Sequence, residues 1–352
     1  VAGMLFNRFR WVGGLGWGEF TGGRWVFESN SAVAVRGTTR AYIRLRVDDL
    51  RAQSRPEEAS AWKGCLRRQE IDDIVVFMRG MYGVLTASSD LDQHHDKVNC
   101  PNGVLDLRTG YLERHQPGML ITKQTGAPYD ANARSSTWND VLEAVPADTR
   151  DWLQVRLGQA LSGYTTDSLV LTVGGGENGK SAFMKAIMRA FGTYADMVSH
   201  RILLQTAGQH PTELMDLRGL RLALLEETPE DGQLDTHQLK TIIGTPRINA
   251  RRMRQDSITF DTTHSLFINT NHYPIVPTTD HGTWRRLFAV RFPFRFIAPG
   301  EKPELAQGER WGIPDLKDRI ERDDMLPAAA LAWVVEGARR WYEDANAFTR
   351  IP

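Results

Sequence analysis

Eight consecutive residues carry the most specific chemistry in this sequence: Gly174, Gly175, Gly176, Glu177, Asn178, Gly179, Lys180 and Ser181. They satisfy the pattern G-x-x-x-x-G-K-[ST]. Glycines let a backbone curl until successive N–H groups face one side, which is what an anion requires. Lysine in the seventh place brings a cation to the β- and γ-phosphates of a triphosphate, and serine in the eighth brings a hydroxyl to Mg²⁺. The flanks agree with this chemistry. Leu169-Val170-Leu171-Thr172-Val173 reads as an apolar strand, and Phe183, Ile187 and Ala190 lie along one face of a following helix. A helix that starts at the loop aims its positive end at the anion. The expectation is an ATP site with Mg²⁺, built on residues 174–181.

Hydrolysis at such a loop needs an acid on a neighbouring strand to hold the metal and another to orient water. Leu220-Arg221-Leu222-Ala223-Leu224-Leu225 ends in Glu226-Glu227, an arrangement that fits, with Glu226 beside Ser181 at Mg²⁺. Two solvated carboxylates at a strand exit are the alternative. A second strand, Ser265 to Asn271, ends in amides, and Asn271 is placed to polarise the lytic water or merely to cap a turn before Pro274. Arg285 and Arg286 follow. They fit either plain surface charge or an arginine that reaches the γ-phosphate bound to a neighbouring subunit. Between the two strands, Arg247, Arg251, Arg252 and Arg254 crowd eight residues ahead of Ser257-Ile258-Thr259-Phe260. This reads as a hairpin whose basic tip grips a phosphodiester backbone, or as a solvated turn paired with acidic neighbours.

The elements that must hold these groups alternate strand and helix from about residue 137, which argues for a mainly parallel sheet covered by helices. Helical spacing runs through Trp138, Val141, Leu142 and Val145, then Trp152, Leu153, Leu157 and Leu161, and returns over roughly 315–345. Upstream, Val104-Leu105-Asp106-Leu107 and Tyr111-Leu112-Glu113 flank a Gly110 turn as a hairpin. Residues 57–90 look helical, whereas 1–60, with runs such as Ala41-Tyr42-Ile43-Arg44-Leu45, read as short strands and turns.

At 352 residues the chain is expected to hold two or three units. Lys+Arg and Asp+Glu both number 43, so a nucleic-acid partner rests on local clusters and not on global charge. Cys65 and Cys100 read as reduced thiols of a cytosolic protein. No apolar run approaches a membrane span, and no signal peptide is visible. His94-His95 has no partner ligands at metal-binding spacing. The start at Val1 and the stop at Pro352 suggest a piece of a longer polypeptide.

Taken together, residues from about 100 to 345 resemble the superfamily 3 helicase module of phage and plasmid primase-helicases, within the AAA+ ATPases. The resemblance is carried in order by Gly-Glu-Asn-Gly-Lys-Ser, the strand ending Glu-Glu-Thr, the basic hairpin, Thr-Asn-His-Tyr-Pro and Trp-Arg-Arg-Leu-Phe-Ala-Val-Arg-Phe-Pro-Phe. The stretch 102–110 looks like the end of the small domain that precedes this helicase, and Ala330 to Tyr342 is similar to the family's C-terminal helices. The resemblance implies an α/β P-loop NTPase core over 131–300, a small α+β N-terminal domain over 1–130 and a helical segment over 301–352. It makes Lys180 and Ser181 the nucleotide and Mg²⁺ contacts, Glu227 the more constant acid with Glu226 its neighbour, Asn271 the sensor, and Arg285 or Arg286 the trans-acting finger. Arg251, Arg252 and Arg254 face single-stranded or forked DNA in the channel of a ring, a hexamer, encoded by a phage or prophage and working 3′-to-5′ in the host cytoplasm. Met253 sits where the family usually carries an aromatic or Lys. An origin initiator or loader without processive unwinding, or a DNA-binding scaffold with a structural nucleotide site, are the competing implications. No primase domain is recognisable.

Overall fold

The computed structural model describes residues 5, 7–204, 212–225, 232–251, 257–277, 280–298, 300, 304 and 308–344. These form two compact units. The smaller takes residues 1–93 with 115–122 and 255–258; the larger takes 94–114, 123–254 and 259–352. Residues 94–114 and 123–130, expected in an N-terminal domain ending at 130, thus belong to the larger unit, as does the C-terminal segment from 301.

The smaller unit begins with β1 (Phe9–Val12), β2 (Gly16–Thr21) and β3 (Arg24–Val26), an antiparallel meander. Helices α1 (Ser29–Ala52), α2 (Pro56–Gly64) and α3 (Arg68–Met78) follow, and β4 (Leu85–Thr86) returns parallel to β1. The long α1 corrects the sequence reading of strands and turns through residue 60. Ala41 to Leu45 alternates only locally. Over the full segment the buried positions Ser31, Val35, Thr39, Ile43 and Val47 recur every four residues, a helical stripe, and Ala and Arg between them favour helix. That stripe packs with Phe9, Trp17, Ile71, Val75 and Met78 into the unit's core.

The larger unit opens with an antiparallel sheet, β5 (Lys97–Cys100), β6 (Gly103–Asp106) and β7 (Leu112–Glu113). The β6–β7 hairpin turns at Gly110 with φ +73°, as its sequence requires. Helices α4 (Ser136–Leu142) and α5 (Ala147–Ser162) lead to β8 (Leu169–Val173) and α6 (Lys180–Phe191). Next come β9 (Ala195–Val198), β10 (Leu222–Leu225), α7 (Thr236–Gly244), the ribbon β11 (Arg247–Ala250) and β12 (Ile258–Asp261), β13 (Ser265–Thr270), α8 (His281–Trp284) and β14 (Leu287–Arg291). A small parallel pair, β15 (Arg295–Ile297) and β16 (Glu309–Trp311), precedes α9 (Leu316–Arg322) and α10 (Leu326–Glu343).

Five parallel strands form the central sheet in the order β14-β8-β13-β10-β9. All five residues of β8 are buried, as expected of a strand covered on both faces. Helix α5 is buried over its last eleven residues and lies against α10 at very close range. A Cβ on Gly158 would stand 2.1 Å from the Ala338 nitrogen, and one on Gly337 would stand 2.1 Å from the Gln154 oxygen. These glycines let the two backbones touch. Trp152, Leu157, Phe183, Ile187, Phe267 and Leu331 fill the core between sheet and helices. Among the described residues no helix is long and apolar enough to cross a membrane.

Candidate functional site

Parallel strands all deliver their C-terminal ends to one edge, and three of the sequence-predicted elements arrive there together. Register pairs Val173 with Thr270 and Leu225 with Ile268, so β8, β13 and β10 end side by side. From that edge the chain leaves β8 into Gly174–Gly179 and enters α6 at Lys180.

The glycine-rich loop is built from inside. Asn178, only 6% exposed, donates through Nδ2 to the Gly175 carbonyl and accepts the Lys180 N–H at 3.2 Å through Oδ1. Gly179 has φ +76° and a Cβ there would stand 2.6 Å from Ala144 Cβ, so only glycine fits. Glu177 holds a left-handed φ of +61°, uncommon for a residue with a side chain. Two contacts over-determine it: its carbonyl accepts the Phe296 N–H at 2.8 Å, and its carboxylate meets Arg295 Nε at 3.1 Å. Gly175 and Gly176, by contrast, have nothing within 4 Å of a hypothetical Cβ and are exposed. The outer face of the loop is therefore bare backbone.

Lys180 is 4% exposed, and its Nζ donates to the carbonyls of Thr270 at 2.6 Å and Gly174 at 3.2 Å and to Asn271 Oδ1 at 3.0 Å. This brings the lysine of the loop and the amide at the end of β13 into direct contact, 91 residues apart in sequence. Neutral oxygens on three sides hold the ammonium at the loop's base. Ser181 is exposed at the start of α6. A hydroxyl in the first turn of this helix is a hard oxygen donor of the kind Mg²⁺ takes. Glu226 and Glu227 themselves lie outside the described residues, as do Arg252, Met253 and Arg254 of the basic hairpin.

A cavity of about 600 Å³ opens beside the loop on the side of Gly179 and Ala182, walled by Ala144, Phe296 and Trp311, with Lys317 at its margin. Arg310 lies over the Phe294 ring in the same neighbourhood, 3.4 Å from its centroid. Sequence reading missed this wall, because its aromatic residues sit more than a hundred positions beyond the loop with no motif to mark them.

The hairpin expected around the arginine cluster is the β11–β12 ribbon. Its root is tied by Arg247 to Asp261 at 2.8 Å and by Asn249 Nδ2 donating to Thr259 Oγ1 at 3.0 Å. Arg247 is thus held at the base, and Arg251 is exposed where the strand ends.

Arg285 and Arg286 are not near the loop of their own chain. They precede β14 at the edge where strands begin, since Leu287 pairs with Leu169 and Arg291 with Val173. At ~3.3 Å per residue, that places them roughly 15 Å from the loop. There both guanidiniums meet the carboxylate of Asp167, a residue the sequence reading passed over. Helix α8, which presents them, is capped by Asp280, whose carboxylate accepts from the Gly282 and Thr283 N–H groups and pairs with Lys240 at 2.6 Å. The lysine, then the Gly282 N–H and the Thr283 hydroxyl, hold the Asp280 carboxyl below its ordinary range. Among the described residues no group of three or more His, Cys, Asp or Glu is placed to hold a metal ion, His94 and His95 included.

Known families and solved structures match much of this chain. Residues 4–145 match the family described as D5 N terminal like, and residues 172–286 match a family of unknown function, DUF5906. A protein of Acanthamoeba polyphaga mimivirus assigned as a helicase is 26% identical over 247 residues, covering 66% of this chain and 26% of that protein. An African swine fever virus protein assigned as a primase is 29% identical over 219 residues, covering 58% of this chain and 23% of that one. The chain is thus similar to a set of viral proteins assigned as helicases and primases. It spans about a quarter of the length of these curated relatives. An apo structure of the NrS-1 C-terminal region shares the fold, with a TM-score of 0.56 over 94% of this chain and 67% of that one at 11% identity. A second apo structure of that region gives 0.54 over 95% and 68% at 12% identity. The primase-helicase likeness read from the motifs agrees with these relatives.

Proposed function

We propose that this primase-helicase relative is the ATP-hydrolysing superfamily 3 helicase part of a replication protein, acting as a hexameric ring that moves along single-stranded DNA. The observation that carries the reading is the loop 174–181. It leaves a buried parallel strand, presents bare glycine backbone outward, and packs Lys180 against Asn271 at the end of the adjacent strand.

In this reading the triphosphate lies along the N–H groups of Gly175 to Ser181, and the cavity between Ala182, Phe296 and Trp311 takes base and sugar. Mg²⁺, held by Ser181 and Glu226, would neutralise charge on the β- and γ-oxygens. Lys180 turns from Asn271 Oδ1 to the γ-phosphate. That frees the Asn271 amide to hold the attacking water, while Glu227 takes the water's proton as ADP leaves. Arg285 of a neighbouring subunit offsets charge in the transition state. The basic hairpin, with Arg251, Arg252 and Arg254, grips the backbone phosphates of the strand being moved.

The test is displacement of one strand of a forked DNA by the purified protein with ATP and Mg²⁺. Displacement that needs both Lys180 and Glu227 supports a helicase. Hydrolysis without displacement would instead support an initiator or loader.

A further inference from the structure

At the strand-start edge of the parallel sheet, two guanidiniums share one carboxylate, and they are held very differently. Arg286 is clamped. It contacts Asp167 through Nε at 2.7 Å and Nη2 at 2.6 Å and donates through Nη1 to the Gly282 carbonyl, and its side chain is 14% exposed. Arg285 is held by Asp167 through Nη2 at 2.9 Å, with its side chain 52% exposed. The carboxylate is fixed from below: the Leu169 N–H, two residues on, donates to the Arg286 carbonyl at 2.7 Å, so acid and arginine ride on adjacent strands. Gly244, at the end of α7 and just before the basic ribbon, lies against it; a Cβ there would stand 3.4 Å from Asp167 Oδ1.

Charge around this carboxylate is unbalanced. A cavity of about 230 Å³ is lined by Asp167, Arg285 and Arg156, with Trp152, Phe288 and Trp341 as aromatic walls. Arg156 is buried and donates only to the neutral oxygens of Gln159, Thr166 and Ser168. Among the described residues no carboxylate pairs with it. Two guanidiniums therefore contact this carboxylate while Arg156 lines the same cavity, and a low-dielectric wall strengthens their field.

We infer that Asp167 is the positioning residue for Arg285, holding it extended at the surface and yielding it to an anion presented by a second copy of this chain, the terminal phosphate of that copy's nucleotide. This deepens the proposed function and rests on it. Sharing makes the transfer cheap: when Arg285 leaves, Asp167 keeps its two-pronged contact with Arg286, so no carboxylate is stranded. Arg286 is the anchor and Arg285 the moving group.

The experiment measures steady-state ATP hydrolysis with single-stranded DNA for wild type, Asp167→Asn, Asp167→Glu and Arg285→Ala, with melting temperatures to establish folding. Asp167→Asn is expected to lower kcat by roughly 10- to 100-fold, the scale for losing a group that orients a functional ligand. KM for ATP stays unchanged, because Arg285 offsets charge that develops only in the transition state, and Asp167→Glu recovers most of the rate. Mixing then separates positioning from damage. Lys180→Ala subunits lack a working loop but carry an intact Asp167–Arg285 pair, so mixing them with Asp167→Asn subunits is expected to restore turnover. No recovery on mixing, or a wild-type kcat for Asp167→Asn where Arg285→Ala has lost activity, overturns the inference and leaves the proposed function standing. A wild-type protein that releases no phosphate overturns both.

Discussion

Asn178 offers a perturbation that touches no phosphate yet is expected to weaken nucleotide binding. Its side chain spans the loop from within, donating to the Gly175 carbonyl and accepting the Lys180 N–H. Asn178→Ala removes both bonds at a buried position. At about 1 kcal/mol net for each, the loop loses roughly 2 kcal/mol of ordering. If all of that appears in binding, affinity falls about 30-fold at 1.4 kcal/mol per decade. The clamp from the other side, Phe296 N–H to the Glu177 carbonyl and Arg295 to the Glu177 carboxylate, retains part of the order. The expected loss is therefore about 10- to 30-fold. Asn178→Asp keeps the acceptor for Lys180 N–H, loses the donor to Gly175 and adds a negative charge beneath the phosphates, so it should bind more weakly still. Calorimetric titration with Mg-ADP gives these affinities directly. Wild-type affinity in Asn178→Ala, or tighter binding in Asn178→Asp, would refute the reasoning that the loop is preorganised by this amide.

Other expectations follow from single positions. Gly174→Ala places a Cβ 2.2 Å from Asn178 Nδ2 and 2.7 Å from the Phe292 carbonyl; the second neighbour is backbone and cannot step aside, so Mg-ADP binding is expected to be lost and the melting temperature lowered. His264 is fully buried, and burial pushes its pKa down to about 4. The unfolded chain binds the proton near 6.5, so this residue's stabilising contribution is whole above that pH and is lost as pH falls toward 4, by roughly 3 kcal/mol. Urea midpoints from pH 7 to pH 4 should show that decline, and His264→Leu should flatten it. Replacing Arg251, Arg252 and Arg254 by Ala is expected to lower the slope of log affinity for single-stranded DNA against log salt by about 0.7 for each phosphate that the variant no longer neutralises. Equal slopes would remove the hairpin from the DNA path.

How far the sequence could be read depended on the range of its signals. The loop and its flanks were readable because their chemistry is local: glycines, lysine and serine at fixed spacing, after an apolar strand and before an amphipathic helix. The strands over 222–225 and 265–270 were readable as apolar runs of the right length. Helix α1 was not, because Ala41 to Leu45 alternates over five residues and its every-fourth-residue stripe emerges only over the whole run from Ser31 to Val47. The role of Asn178 was hidden for a different reason. Its position in the motif suggested contact with nucleotide, whereas its buried side chain braces the loop's own backbone. Asp167 lay in an unmarked turn, 118 and 119 positions from the arginines it joins, and only the parallel pairing of β8 with β14 brings them together. The division into units likewise follows tertiary packing, which draws the β5–β7 sheet toward α5 and no linker composition announces.

The central claim is that Lys180 holds the terminal phosphate of ATP for attack by water. Release of inorganic phosphate from ATP, with Mg²⁺ and single-stranded DNA supplied, tests it most directly when wild type is compared with Lys180→Ala. Steady release by wild type and none by the variant is the expected result; no release by wild type, or equal release by both, would contradict the claim.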